Sequence, residues 1–186
     1  MAKLDHIIPF LKSAEGKLSK DASDSASKTP VPDGSGYHTN QGVTWATWVS
    51  IFGASSYSIK RFYAMSDEDY YKCIVPFWNS ILGDQIKSQR IADIIFDWVW
   101  GSGKYYPEIY IQDILINSFN QHIKMDGDFG QETINSINTV NEQAEYEAII
   151  VKRFWYFDHI VIAHPSQKKF LEGWKNRVKN LIAFSK

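Results

Sequence analysis

The sequence is poor in cysteine: Cys73 is the only one, so an intramolecular disulfide is impossible. Because it lies in an apolar stretch, we expect a small buried thiol there and not a nucleophile. The five histidines are scattered without the spacing of a zinc site such as His-Glu-x-x-His. We therefore expect neither a metal nor a cofactor.

Long apolar runs and blocks of one charge are also missing. No stretch reaches the ~18 apolar residues that a membrane helix needs, so we expect no stable membrane insertion. Lys and Arg form no cluster and the formal net charge is -1, so nucleic acid is not expected as a partner. The first residues lack the apolar core and cleavage site of a signal peptide, so we expect synthesis in the cytoplasm.

The composition that remains is globular, with many aromatic side chains. The 186 residues are 44% hydrophobic and 22% charged, which suits one domain or two small lobes. Aromatic residues make up 15% of the chain. Most are expected in the core, and a surplus also suits a carbohydrate groove, because aromatic faces stack on sugar rings.

Helical periodicity dominates the chain and predicts a mainly α fold. Leu4 and Leu11 lie on one face of a first helix that we expect to end near Gly16. Strand patterns are scarce, apart from a short hairpin expected around residues 36–43. Capping residues and apolar repeats predict further helices at about 66–82, 91–101, 107–119, 131–137, 141–162 and 170–181.

Glu15 is the first residue expected to carry chemistry. It follows the first helix, where the helix dipole disfavours a charged carboxylate, as suits a general acid. The next loop is rich in Ser, Asp, Pro and Gly and contains Asp21, Asp24 and Asp33. Glycoside hydrolysis commonly uses two carboxylates across the scissile bond, and Glu15 with a loop aspartate could form such a pair. Taken alone, Glu15 fits a solvated glutamate at a helix end better.

Residues 36–44, Gly-Tyr-His-Thr-Asn-Gln-Gly-Val-Thr, are dense in turn-forming, hydroxyl and amide side chains. Thr and Asn side chains can orient a water molecule or a substrate hydroxyl, whereas a generic turn needs only one of them. A capped hairpin, or a helix start at Thr44, accounts for the segment equally well.

Together these segments resemble a known family. Glu15-Gly16, the Asp- and Gly-rich loop and residues 39–44 resemble the signature of glycoside hydrolase family 108, whose members are lysozyme-like N-acetylmuramidases and include secretion activators. The resemblance continues through residues 97–103 and into a small peptidoglycan-binding domain. That domain is matched by Ile111-Gln112, the turn at 126–130 and residues 170–178.

The resemblance implies a lysozyme-like helical catalytic lobe at 1–107, packed against a small helical peptidoglycan-binding domain at 108–186. Glu15 aligns with the glutamate of the family's Glu-Gly-Gly motif and would protonate the glycosidic oxygen. Asp33, or alternatively Asp24, would supply a second carboxylate, and Thr44 would hold the attacking water. If the threonine-bound water suffices, neither aspartate is needed.

The sequence departs from the family pattern at two points. Lys17 stands where the family has its second glycine, and the loop that follows is longer than usual.

Asp126-Gly127-Asp128-Phe129-Gly130 is not a calcium loop, because the positions of the required glycine and glutamate hold Gln131 and Ile137.

Five side chains are expected to bind the substrate. For Trp100 and Tyr105, a place in the core and a sugar-stacking position are equally compatible with the sequence, whereas Trp98 is expected in the core. For His38, the sequence favours a packing or hydrogen-bonding role over a place in the groove. The substrate-binding residues are His38, Thr39, Asn40, Trp100 and Tyr105.

The implied activity is hydrolysis of the peptidoglycan glycan strand between N-acetylmuramic acid and N-acetylglucosamine. Two alternatives stay open: a non-catalytic wall-binding or secretion-helper protein, which Lys17 favours, and a lytic transglycosylase. The protein, of bacterial or phage type, would act in the periplasm or cell wall. A holin or a secretion apparatus would export it.

Overall fold

A computed structural model describes residues 1–16, 18–20, 29–32 and 35–185, except for the side chain of Ser56. These residues are mainly helical, with one small two-stranded sheet, which confirms the predicted mainly α fold class. Among them, no helix has both the length and the apolar character needed to span a bilayer. The elements are α1 (Leu4–Ala14), β1 (Thr39–Asn40), β2 (Val43–Thr44), α2 (Trp45–Phe52), α3 (Ser56–Tyr63), α4 (Asp67–Ser80), α5 (Gln89–Ser102), α6 (Tyr105–Phe119), α7 (Gln131–Ile137), α8 (Glu142–Ala163) and α9 (Leu171–Phe184), with 3₁₀ helices at Gly83–Gln85 and Pro165–Phe170.

Polar caps fix several helix starts where the sequence predicts them. Ser66 Oγ accepts a hydrogen bond from Asp69 N at 3.1 Å before α4, and Asn141 Oδ1 accepts one from Ala144 N at 3.0 Å before α8. Helix α3 was not predicted. It has eight residues, and its buried apolar side chains are Ile59 and Phe62, too few to establish a helical period.

Residue contacts divide the chain into two compact units, and the division falls within α1 and α4. One unit comprises residues 1–10 and 77–186, and the other comprises residues 11–76. The domain boundary that the sequence suggests, between residues 107 and 108, stays a prediction.

The unit formed by residues 11–76 has an aromatic core beneath its hairpin. The rings of Trp45 and Trp48 meet the ring of Phe62 edge-on, with centroid distances of 5.3 and 5.4 Å. Cys73 is also fully buried, and burial raises the pKa of its thiol to about 12. The expected burial of this thiol is thereby confirmed.

In the other unit, α5 is the central element. Every residue from Ile91 to Val99 is buried, because α5 packs against both α6 and α8. Trp98 is in this core, as expected. Asp97 accepts hydrogen bonds from Arg153 at 2.6 Å and Arg177 at 2.9 Å. Burial raises the pKa of the Asp97 carboxyl, but the two guanidinium groups outweigh burial and hold that pKa below its usual range.

Two other buried carboxyls in this unit have no guanidinium group bonded to them in the described part of the chain. Glu108 and Glu145 are at most 1% exposed, and neither has a hydrogen-bond partner for its carboxyl oxygens among the described residues. Burial raises the pKa of Glu108 to about 7 and the pKa of Glu145 to about 8. Below about pH 7, both groups are therefore mainly protonated in the folded protein.

We expect Glu145→Gln to stabilise the protein at pH 8.5 and to change stability little at pH 5. The folded state holds the Glu145 proton up to a pKa of about 8, whereas the unfolded state releases it near its ordinary value of 4.5. Wild-type stability is therefore lost as the pH rises through this window, and glutamine removes that loss, on the order of a few kcal/mol. Urea unfolding at both pH values measures the difference.

Glu147→Gln, which alters an exposed glutamate of the same helix, is the matched control. An equal effect of Glu145→Gln at pH 5 and pH 8.5 would contradict the assignment of a raised pKa to Glu145.

Candidate active site

Glu15 lies directly after α1, and its side chain packs against the backbone of Gly42. A methyl group built on Gly42 would come within 2.5 Å of Glu15 Cδ and 2.6 Å of Glu15 Oε2. The backbone N–H of Glu15 donates to Leu11 O at 2.9 Å, which continues the helical turn. Glu15 is half-buried. A residue with any side chain at position 42 would displace the carboxyl.

Gly42 occupies this place because of the hairpin turn. β1 and β2 are antiparallel, and Asn40 pairs with Val43, which leaves Gln41 and Gly42 as a two-residue loop. Both loop residues have positive φ, 50° and 79°, as a type I′ turn requires. Position 42 therefore needs glycine for its conformation as well as for the carboxyl that packs on it.

Thr39 joins the hairpin to the segment that follows Glu15. Its N–H donates to Ser19 O at 3.0 Å, and its carbonyl accepts from Ser19 N at 2.7 Å. Its Oγ1 is buried and has no hydrogen-bond partner among the described residues. A substrate hydroxyl or a water molecule is the kind of group that satisfies such an atom.

Asn40 and His38 have structural contacts in this conformation. Asn40 is 4% exposed, and its Nδ2 donates to Phe62 O at 2.7 Å. His38 is fully buried, with Nδ1 at 2.8 Å from the Tyr63 hydroxyl and Nε2 at 3.3 Å from Ser35 Oγ. Both side chains hold the hairpin, and their contact with a substrate stays a prediction.

Thr44 caps helix α2. Its Oγ1 accepts a hydrogen bond from Thr47 N at 3.1 Å and lies 3.0 Å from Thr47 Oγ1. Thr44 is half-buried and faces Thr39 in the strand pairing. This cap is the helix start at Thr44 that the sequence predicts as one alternative for this segment. The binding of a water molecule by Thr44 stays a prediction.

The predicted second carboxylate falls where the structure gives no description. Asp33, the alternative Asp24, and the substitution at Lys17 all lie outside the described residues. Within the described residues, no group of three or more His, Cys, Asp or Glu side chains could hold a metal ion.

Trp100 and Tyr105 belong to the other compact unit. Trp100 is half-buried, and its ring meets that of Phe77 edge-on at 5.1 Å. Tyr105 is 59% exposed at the start of α6. These packing contacts do not test the predicted contact of Trp100 and Tyr105 with a substrate, which stays a prediction.

Comparison with known families covers most of the chain. Residues 8–103 match the family described as "Glycosyl hydrolase 108", and residues 106–179 match the family described as "Predicted Peptidoglycan domain". The first match spans more than half of the sequence, so the chain belongs to glycosyl hydrolase family 108. The predicted family resemblance is confirmed.

One solved structure, SagA of Brucella abortus, has a similar fold. The TM-score is 0.73, the sequence identity is 20%, and the alignment covers 98% of this chain and 95% of the SagA chain. At this identity the likeness concerns the fold alone, and it supports the mainly helical class. No curated protein sequence matches the chain.

We expect Gly42→Ala to lower glycan-cleaving activity by about 10–100-fold, because the added methyl group displaces the Glu15 carboxyl. Gly53→Ala is the matched control: Gly53 also has a positive φ of 75°, but a methyl group there meets no atom within 4 Å. Both variants carry backbone strain of ~1–3 kcal/mol. Equal losses of activity in the two variants would mean that strain, and not the Glu15 contact, is responsible.

We expect Thr44→Val to lower the free energy of unfolding by about 1 kcal/mol, because Thr47 N–H loses its cap. Thr44→Ser keeps the acceptor oxygen and should remain near wild type. Chemical denaturation of the three proteins measures this difference. If valine is as stable as threonine, the cap contributes nothing.

Proposed function

We propose that this chain hydrolyses the glycan strand of peptidoglycan between N-acetylmuramic acid and N-acetylglucosamine, with Glu15 as the general acid. Membership of the family supports glycoside hydrolysis, and the peptidoglycan-domain match supports the wall as its target. The observation that carries the assignment of the acid is the packing of the Glu15 carboxyl on Gly42.

Two features of Glu15 suit a proton donor. The side chain is half-buried, so water is partly excluded while one side stays accessible. The turn at Gln41-Gly42 fixes its position, and a fixed donor loses no orientation entropy when the substrate arrives.

In the proposed reaction, the Glu15 proton passes to the glycosidic oxygen as the bond to the anomeric carbon breaks. The electron pair of that bond leaves with the oxygen, and positive charge develops on the sugar ring. A water molecule then adds to the anomeric carbon and returns a proton to the Glu15 carboxylate or to a second carboxylate. The buried Thr39 Oγ1 and the Thr44 hydroxyl are the groups we propose to orient that water or the sugar.

Asp33 is the second carboxylate that we propose, since it keeps the family's relation to the Gly36 and Thr39 segment. Asp24 is the alternative. The separation from Glu15 would decide the stereochemistry, at ~5 Å for retention and ~7–9 Å for inversion. For export to the wall, we propose a holin or a secretion apparatus as the partner.

Glu15→Gln should lower the rate of glycan cleavage by about 10²–10⁴-fold, because the amide cannot donate the required proton. Purified peptidoglycan is incubated with each protein, and the soluble fragments are quantified by mass spectrometry. Glu68→Gln, which alters the exposed glutamate of the Glu68–Lys72 pair, is the matched control and should retain wild-type activity.

The chemistry of the fragments separates the three possible functions. Reducing-end muramic acid is the product of a muramidase, and anhydromuramic ends identify a lytic transglycosylase. If the wild type releases no fragments, both enzymatic functions are excluded and wall binding without catalysis is the function that remains. Full activity in Glu15→Gln would remove Glu15 from the role of acid.

A further inference from the structure

Five aromatic rings form a continuous row on helices α6 and α8. The row runs through Tyr105, Tyr106, Tyr110, Trp155 and His159, and all five belong to the same compact unit. Successive ring centroids are 5.3, 6.4, 5.5 and 3.6 Å apart. We call this set the aromatic row.

Much of the aromatic row faces solvent. Tyr105 is 59% exposed, Tyr106 is 53% exposed and Trp155 is 40% exposed. Folding normally removes large aromatic surfaces from water, and contiguous exposed groups of them commonly mark binding surfaces.

A second layer of rings holds the row in place. Trp98, which is fully buried, stacks beneath Tyr110 at 6.0 Å with an interplanar angle of 12°. Tyr156 contacts both Tyr106 at 6.2 Å and Tyr110 at 5.6 Å. Because these rings are already packed, a ligand need not pay the full entropic cost of ordering them.

The turn at residues 126–130 positions the first ring. Gly127 has a φ of 73°, and a methyl group on it would lie 3.1 Å from the Tyr105 ring. Gln112 is buried and anchors the turn: its Oε1 accepts from Asp126 N at 3.0 Å and from Gly127 N at 2.8 Å. The glycine of this motif is therefore the surface on which Tyr105 rests.

Charged groups lie beside the rings. Lys152 Nζ is 5.6 Å from the centroid of Tyr110 and 5.0 Å from the centroid of Trp155, and it pairs with Asp113 at 2.7 Å. Exposed ring surface bordered by donors and acceptors suits a ligand with C–H faces and polar edges. A sugar ring has both, whereas an apolar peptide or a lipid tail would remove the Lys152–Asp113 pair from water without offering it a new hydrogen bond.

We propose that the aromatic row is a glycan-binding platform on which consecutive sugar rings of the peptidoglycan strand stack. Four of its five residues lie within the range matched by the peptidoglycan domain family, 106–179. The identity of the ligand rests on the proposed function, but the platform does not depend on Glu15 or on cleavage. It would hold the chain on the wall through a surface other than the candidate active site.

The test measures binding of the full chain carrying Glu15→Gln to purified peptidoglycan sacculi, with soluble N-acetylglucosamine tetramer as competitor. The competitor lacks peptide, so it separates glycan recognition from recognition of stem peptides. Tyr106→Ala and Trp155→Ala, each made in that background, should weaken binding by about three- to tenfold, since each removes one stacking ring. The tetramer should also change the tryptophan fluorescence, and Trp155→Phe should abolish that change.

Two control variants remove exposed apolar side chains away from the row. Tyr57→Ala and Tyr71→Ala change tyrosines of the other compact unit that are 75% and 42% exposed. Both should bind as the Glu15→Gln parent does. Circular dichroism and thermal unfolding of every variant establish that the fold is intact.

Three outcomes would contradict the proposal that the aromatic row is a glycan-binding platform. Unchanged binding in Tyr106→Ala and Trp155→Ala would do so, as would a Glu15→Gln parent that does not bind sacculi. The third is a dimer in light scattering that Trp155→Ala converts to a monomer, because a second copy would then cover the row. Hydrolysis by the wild type would stand in all three cases, whereas loss of hydrolysis with binding retained would reject the proposed enzyme and keep the platform.

Discussion

The Glu15 carboxyl packs on the bare backbone of Gly42, and the rest of the candidate active site depends on that contact. It brings a residue that follows α1 against a hairpin turn more than twenty positions away in the sequence. The contact requires glycine at position 42 for two reasons: the positive φ of the turn, and the space that the carboxyl fills. The buried bonds of His38 and Asn40 then hold the hairpin to the aromatic core beneath it.

The unit containing residues 77–186 depends on a different constraint. Asp97 in the centre of α5 is tied to Arg153 of α8 and Arg177 of α9, so one buried carboxylate joins three helices. Breaking such a pair leaves an uncompensated buried charge, at a cost of roughly 3–5 kcal/mol. This network ties α5 to α8, which also carries Trp155 of the aromatic row.

Much of the fold follows from local sequence signals, whereas the site depends on contacts that such signals do not contain. Apolar periodicity and caps such as Ser66 and Asn141 predict most of the helices. Helix α3 has too few apolar positions for this, and its Tyr63 is the residue that bonds His38. The sequence favours a packing or hydrogen-bonding role for His38 over a place in the groove, and its ring is buried, but the sequence does not identify Tyr63 as its partner. The hairpin was expected from its turn residues, but the approach of Glu15 to Gly42 is a tertiary contact that no local pattern encodes.

A crystal structure of the Glu15→Gln variant bound to a muramic acid-containing tetrasaccharide would test the central claim most directly. The account predicts a glycosidic oxygen within about 3.2 Å of the side chain at position 15, which is the reach of a general acid. It also predicts that this side chain still lies against Gly42. A tetrasaccharide bound in the same unit with no glycosidic oxygen near position 15 would contradict the account.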